Sequence, residues 1–229
     1  MARCPSNFDD WADQLLSFGF TVLRNLSLEG LHDLLDALGP RHRTEYGDNP
    51  ARVKPIPGST DLSLSAEGYA LPPHTDGSYR QGENLLQYLY ACENTTLGGE
   101  STVVDGFRVA HDVRQHHPEA FRLLTETPVR FRQFDSHIGY FLCHPTPIIR
   151  LDCTGDFEAV YFSHKNSSWD LPFERMEAFY QAYCTFARYL QILPINTGFA
   201  SNLATACSRR THGCYTGARH INRKRATGS

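Results

Sequence analysis

The chain has 229 residues, 41% of them hydrophobic and 12% aromatic, with 22 Lys and Arg against 25 Asp and Glu for a formal charge of −3. Those figures describe one folded domain and exclude a largely disordered chain. A net charge near zero gives no global attraction for nucleic acid or an anionic membrane, and the apolar run from Leu85 to Cys92, broken by Gln87, falls far short of the roughly 20 residues that cross a bilayer. A small-molecule partner is the expectation that remains. The first residues, from Met1 to Trp11, carry Arg3, Asp9 and Asp10 and no apolar stretch, so they do not read as a secretory signal. Cysteines at 4, 92, 143, 153, 184, 207 and 214 never stand in C-x-x-C spacing. They read as reduced thiols of a cytoplasmic protein.

In chain order, Asp9 or Asp10 caps a short helix carrying Trp11, Leu15 and Leu16 that stops at Gly19, and Phe20 to Leu23 follows as a strand. Ser27 caps a second helix with Leu28, Leu31, Leu34, Leu35 and Leu38 on one stripe, ended by Gly39-Pro40. From Gly47 to Pro73 the prolines at 50, 55, 57, 72 and 73 predict an irregular surface segment. Strands are expected at Leu85 to Glu93, Ser101 to Asp105, Val129 to Phe134, Ile148 to Asp152 and Glu158 to Phe162. Helices are expected at Phe107 to His116, Pro118 to Thr125 and Pro172 to Leu190.

The end of the chain differs in charge. Residues 191–229 hold six Lys or Arg and no Asp or Glu, +6, while the first 190 hold the other 16 cations and all 25 carboxylates, −9. A polyanion-binding patch and a solvated terminus both fit that tail. Gln191 to Ser208 lacks the alternation of a half-buried strand. The division expected is 1–190 as the core with flanking helices and 191–229 as a basic segment, truncated or poorly ordered.

The sharpest local pattern is Leu71-Pro72-Pro73-His74-Thr75-Asp76-Gly77. In a strand, residues i and i+2 face the same way, so His74 and Asp76 present an imidazole and a carboxylate together. With a distant second histidine that pair makes the facial triad that leaves open positions on Fe(II); zinc, or a plain turn histidine, also fits the pattern alone.

Taken with Phe18-Gly19-Phe20, the run Gly98-Gly99-Glu100-Ser101-Thr102-Val103-Val104-Asp105-Gly106-Phe107 and Pro128-Val129-Arg130-Phe131, this motif resembles the taurine dioxygenase-like (TauD/TfdA) family of Fe(II)- and 2-oxoglutarate-dependent oxygenases, nearer its γ-butyrobetaine and trimethyllysine hydroxylase branch. The resemblance covers roughly residues 15 to 190. It implies a mainly β fold with flanking helices, a double-stranded β-helix or distorted jelly roll, and hydroxylation of an unactivated C–H bond of a small polar metabolite with release of succinate and CO2. It makes His74 and Asp76 iron ligands, and Ser101 or Thr102 a hydroxyl for the cosubstrate. In the run from Arg210 to His220 it makes His212 the distal ligand, with His220 as fallback, and Arg219 the partner of the 2-oxoglutarate 5-carboxylate. Cys214 stands where the family commonly has arginine, and Ala66 where the nearer relatives have a cage tyrosine; Tyr46, Tyr69, Tyr79 and Arg80 are left as candidates for a pocket wall. A catalytically inactive jelly-roll protein that binds a small molecule or a partner is the alternative reading.

Overall fold

The computed structural model describes residues 8–23, 25–39, 71–80, 86–92, 101–135, 139–192, 195–199, 204–208 and 214–218. The elements in order are α1 Phe8–Phe18, β1 Phe20–Leu23, α2 Leu28–Leu38, β2 Leu71–His74, β3 Leu86–Tyr90, β4 Ser101–Asp105, α3 Gly106–His116, α4 Pro118–Glu126, β5 Val129–Asp135, β6 Tyr140–Thr146, β7 Ile149–Leu151, β8 Phe157–Val160, β9 Ser167–Ser168, α5 Phe173–Ile192, β10 Ile195–Phe199, β11 Ala204–Ser208 and β12 Cys214–Ala218.

Local chemistry accounts for the element ends. Helix α1 stops at Gly19, whose φ of 74° lets its amide reach the Leu15 carbonyl at 2.9 Å. The Ser27 hydroxyl accepts from the Gly30 amide at 3.0 Å and starts α2. Asp105 ends β4 and caps α3 at once, its Oδ1 accepting from the Phe107 and Arg108 amides at 3.0 Å each. The strand-to-helix switch read from the Gly98 to Phe107 run is therefore held by one carboxylate.

Every strand pair is antiparallel. The sheets run β1-β11-β3, β10-β4-β12-β2, β6-β5-β9 and β7-β8. Two strands of the basic segment thus lie inside sheets: β11 between β1 and β3, and β12 between β4 and β2. Gln191 to Ser208, which lacks the apolar alternation of a half-buried strand, nevertheless carries β10 and β11. Neighbouring strands offer unpaired N–H and C=O rows on both sides, and backbone pairing there does not depend on an alternating pattern. Strand β6 is not among the strands expected from the sequence; it contains Pro145, and among the described residues it is an edge strand, where a missing N–H is tolerated.

The main core lies between the β5 to β8 region and the layer of α3, α4 and α5. Phe131, Phe162, Phe179 and Phe186 are its largest fully buried side chains, joined by Val109, Val113, Leu124, Ile148, Ile149 and Leu190. Tyr79 belongs to this core, and Arg80, itself buried, lies over its ring at 5.6 Å. Both residues pack rather than line an open wall. A smaller cluster of Trp11 and Leu15 ties α1 to the β1 side. Among the described residues no helix is long and apolar enough to cross a membrane.

Candidate active site

His74 is the last residue of β2 and Asp76 lies in the turn that follows, so the pair does not share one face of a strand as its spacing suggested; the turn, not the strand alternation, brings the two side chains together. That turn is clamped from several sides. The Thr75 amide donates to the Phe162 carbonyl at 2.8 Å, and the Phe162 amide donates to Thr75 Oγ1, also at 2.8 Å. The Ser78 hydroxyl, buried, donates to the Thr75 carbonyl at 2.9 Å, and Gly77, with φ of 61°, accepts from the Arg80 amide at 3.0 Å. On the far side the buried His144 donates from Nδ1 to the Ser78 carbonyl at 3.1 Å. Glycine takes the left-handed Gly77 conformation at the least steric cost, which gives the H-x-D-G spelling a physical reason.

A carbonyl only accepts, so the 2.9 Å contact between His74 Nδ1 and the Pro72 carbonyl places a proton on Nδ1. The free nitrogen, Nε2, points at Asp76 Oδ1, 3.1 Å away. Two atoms bound at right angles to one ion through bonds of about 2.0–2.2 Å lie about 3 Å apart, so this spacing suits a shared metal as well as a shared proton. The other oxygen, Oδ2, accepts from the Gln87 side-chain amide on β3. The His74 side chain is 24% exposed and that of Asp76 48%, so the pair sits at a mouth.

Burial alone lowers the His74 pKa; the hydrogen bond and charge of Asp76, with the Pro72 carbonyl, outweigh it and hold the imidazole above its ordinary value, against a smaller opposing pull from Lys165. His164 is pushed down, first by burial and then by the charge of His74. Its Nδ1 is 2.9 Å from the hydroxyl of Tyr183, whose pKa burial raises to about 12.

The structure thus brings His74 and Asp76 together. Of the other expected positions, Thr102 is buried in β4, and Ser101 is placed by its backbone, opposite Ala218 of β12. His212, Arg219 and His220 lie outside the described residues, as do Tyr46, Ala66 and Tyr69. Among the described residues no third His, Cys, Asp or Glu joins the pair to make a metal-binding group. Sequence reading missed Gln87 and Thr75. Gln87 had a signal: it is the one polar residue in the strand Leu86–Tyr90 apart from the tyrosine hydroxyls, and an amide in an apolar strand needs a partner.

Comparison with known proteins gives relatives on both the sequence and the structure side. γ-Butyrobetaine dioxygenase of Pseudomonas sp. (strain AK-1) is 38% identical over 119 residues, 52% of this chain and 30% of that protein. Trimethyllysine dioxygenase of Meyerozyma guilliermondii is 27% identical over 186 residues, 76% of this chain and 44% of that protein. The chain therefore spans less than half the length of these relatives. Among solved structures, an asparagine oxygenase in complex with Fe(II), 2S,3S-3-hydroxyasparagine and succinate superposes with a TM-score of 0.64 at 14% identity, over 95% of this chain and 74% of that one. The non-haem iron oxygenase OrfP in complex with Fe and α-ketoglutaric acid gives 0.67 at 15%, over 96% and 76%. At such identities the likeness establishes a shared fold. The family model for taurine catabolism dioxygenase TauD, TfdA family, matches residues 1–223, and with nearly the whole chain inside that match the protein belongs to the TauD/TfdA family.

Proposed function

We propose that this chain is an Fe(II)- and 2-oxoglutarate-dependent dioxygenase that hydroxylates an unactivated C–H bond of a small polar metabolite, releasing succinate and CO2. The observation that carries the reading is the His74–Asp76 pair, with Nδ1 committed to Pro72 and Nε2 set 3.1 Å from Oδ1. One neutral nitrogen and one carboxylate oxygen, with the second carboxylate oxygen held by Gln87, suit Fe(II). Family membership and the shared fold favour this over an inactive jelly roll. We read the antiparallel sheets as those of a double-stranded β-helix, with residues 1–190 supplying its body and 191–229 the segment that carries the remaining ligands.

His212 is the distal ligand of choice. Strand β12 runs antiparallel to β2 with Thr216 opposite His74, so its Cys214 end is the end nearer Asp76, and His212 precedes Cys214 by two residues. Arg219 directly follows β12 and is the proposed partner of the 2-oxoglutarate 5-carboxylate, for which a planar, permanently charged guanidinium is suited. Ser101 and Thr102, opposite Ala218 and Gly217, are the proposed hydroxyl donors to the cosubstrate. Bound iron supplies open positions for the keto acid and O2 and the oxidising power for the C–H bond. The protein's own work is to hold the ligand turn rigid through Thr75, Phe162 and Ser78, to orient Asp76 through Gln87, and to fix the target carbon. The free cysteines at 92, 143, 153 and 184 fit a cytoplasmic enzyme.

The test is slow decarboxylation of 2-oxoglutarate without substrate. Succinate formation that needs Fe(II) and is lost in His74→Ala and Asp76→Ala supports the assignment. Succinate no higher than in His74→Ala rejects it.

A further inference from the structure

The bonds within the turn from Thr75 to Arg80 fix its shape. Thr75 Oγ1 and Ser78 Oγ are 2.6 Å apart, the Ser78 hydroxyl donates to the Thr75 carbonyl at 2.9 Å, and the Arg80 amide closes on the Gly77 carbonyl at 3.0 Å. None of these ties the turn to the rest of the protein. Phe162 does so at Thr75, between the two ligands, and His144 does so at Ser78, two residues after Asp76. Gly77 stands between Asp76 and that second anchor with φ of 61°, and a glycine does not by itself hold the chain in one conformation. The backbone on the downstream side of Asp76 is therefore held at Ser78.

His144 occupies a position where packing alone calls for an apolar residue. It faces inward from β6, 4% exposed, directly opposite the fully buried Phe131 in the β5–β6 register and edge-on to the Tyr161 ring at 5.3 Å. Burying an imidazole among aromatic rings costs free energy unless it is hydrogen-bonded. The Ser78 carbonyl, 66 residues away in sequence, is the partner at 3.1 Å, and because a carbonyl only accepts, the proton lies on His144 Nδ1. Ser78 is itself buried, so the bond satisfies both groups where water does not replace it. A phenylalanine would fill the same space against Phe131 and Tyr161 and would leave that carbonyl without this donor.

We propose that His144 is a positioning residue for the metal: by donating to the Ser78 carbonyl it anchors the turn so that Asp76 keeps its place beside His74. The role in metal binding rests on the oxygenase reading; the anchoring of the turn does not. The experiment compares His144→Phe, which keeps an aromatic ring and removes the donor, with His144→Asn, which is smaller but carries an amide N–H where Nδ1 stands. Both are read in the full chain by calorimetric titration with Co(II), and in its metal-free form by melting temperature and native-state hydrogen exchange. His144→Phe should bind Co(II) about tenfold more weakly, the low end for groups that orient a ligand from outside the coordination sphere. Its Arg80 amide should exchange several-fold faster, while the Tyr161 amide, bonded to the Ile148 carbonyl at 2.8 Å, keeps its protection. His144→Asn should melt lower for want of the ring yet keep most of the Co(II) affinity, a split that a purely structural role would not produce. Unchanged Co(II) affinity in His144→Phe, an equal loss in both variants, or variants that unfold rather than lose metal overturn the proposal. Faster Arg80 exchange with unchanged Co(II) affinity defeats the positioning role alone, whereas an unsubstituted chain that binds no Co(II), or binding that survives His74→Ala, defeats the metal site and the proposal with it.

Discussion

Replacing Gln87 with leucine tests how Asp76 is held. The substitution keeps the side-chain volume in β3 and leaves the backbone pairing of Gln87 with Cys207 untouched, but removes the amide that donates to Asp76 Oδ2. A hydrogen bond to a charged group is worth about 1.5–3 kcal/mol net. The Asp76 side chain is 48% exposed, so water replaces part of the lost contact and about 1 kcal/mol is the better figure. That corresponds to a metal affinity about fivefold weaker, just below the usual range for partners that orient a ligand. Calorimetric titration with Co(II), compared with the melting temperature of the metal-free protein, separates the effect from folding. The expected result is a several-fold rise in Kd with little change in melting temperature. Unchanged Co(II) affinity would refute the positioning role, and a large drop in melting temperature would show that Gln87 acts on the fold instead.

Three further outcomes follow from the same geometry. His74 has a folded pKa above its unfolded value near 6.5, so its pair with Asp76 stabilises the metal-free protein fully below that value and ceases to do so as pH rises through the folded pKa. Metal competes with the Nε2 proton, so Co(II) affinity should rise with pH across the same window; a flat affinity contradicts the assignment of Nε2 as donor. Phe186→Ala empties a fully buried position beside Phe162 and should cost about 3–5 kcal/mol in urea unfolding, where a loss under 1 would deny the core placement. Deleting residues 191–229 removes the central strands β11 and β12, leaving β1 and β3 without their shared partner and β2 without β12. The deleted chain should lose cooperative thermal unfolding, and a retained sharp transition would show that those pairings carry little stability.

The helices and the first half of the site were legible because their signals are local. Ser27, Gly19, Pro118 and the stripe on α2 act within one turn of chain, and the H-x-D-G spelling encodes both the donors and the glycine that the turn requires. What was not legible depends on distant partners. Strand β11 reads Ala-Thr-Ala-Cys-Ser, with no apolar alternation, and is a strand because β1 and β3 flank it. Thr75 looks like a spacer between two ligands until Phe162, 87 residues away, supplies the donor for its hydroxyl. Tyr79 and Arg80 show the converse, since residues next to a metal motif drew attention and then proved to pack.

The most direct measurement is the absorption spectrum of the full chain after anaerobic addition of Fe(II) and then 2-oxoglutarate. A weak visible charge-transfer band that forms with both, needs both, and disappears in His74→Ala and in Asp76→Ala is the predicted result. A band that persists in those two variants, or none in the unsubstituted chain at saturating Fe(II) and 2-oxoglutarate, would contradict the placement of the iron on His74 and Asp76.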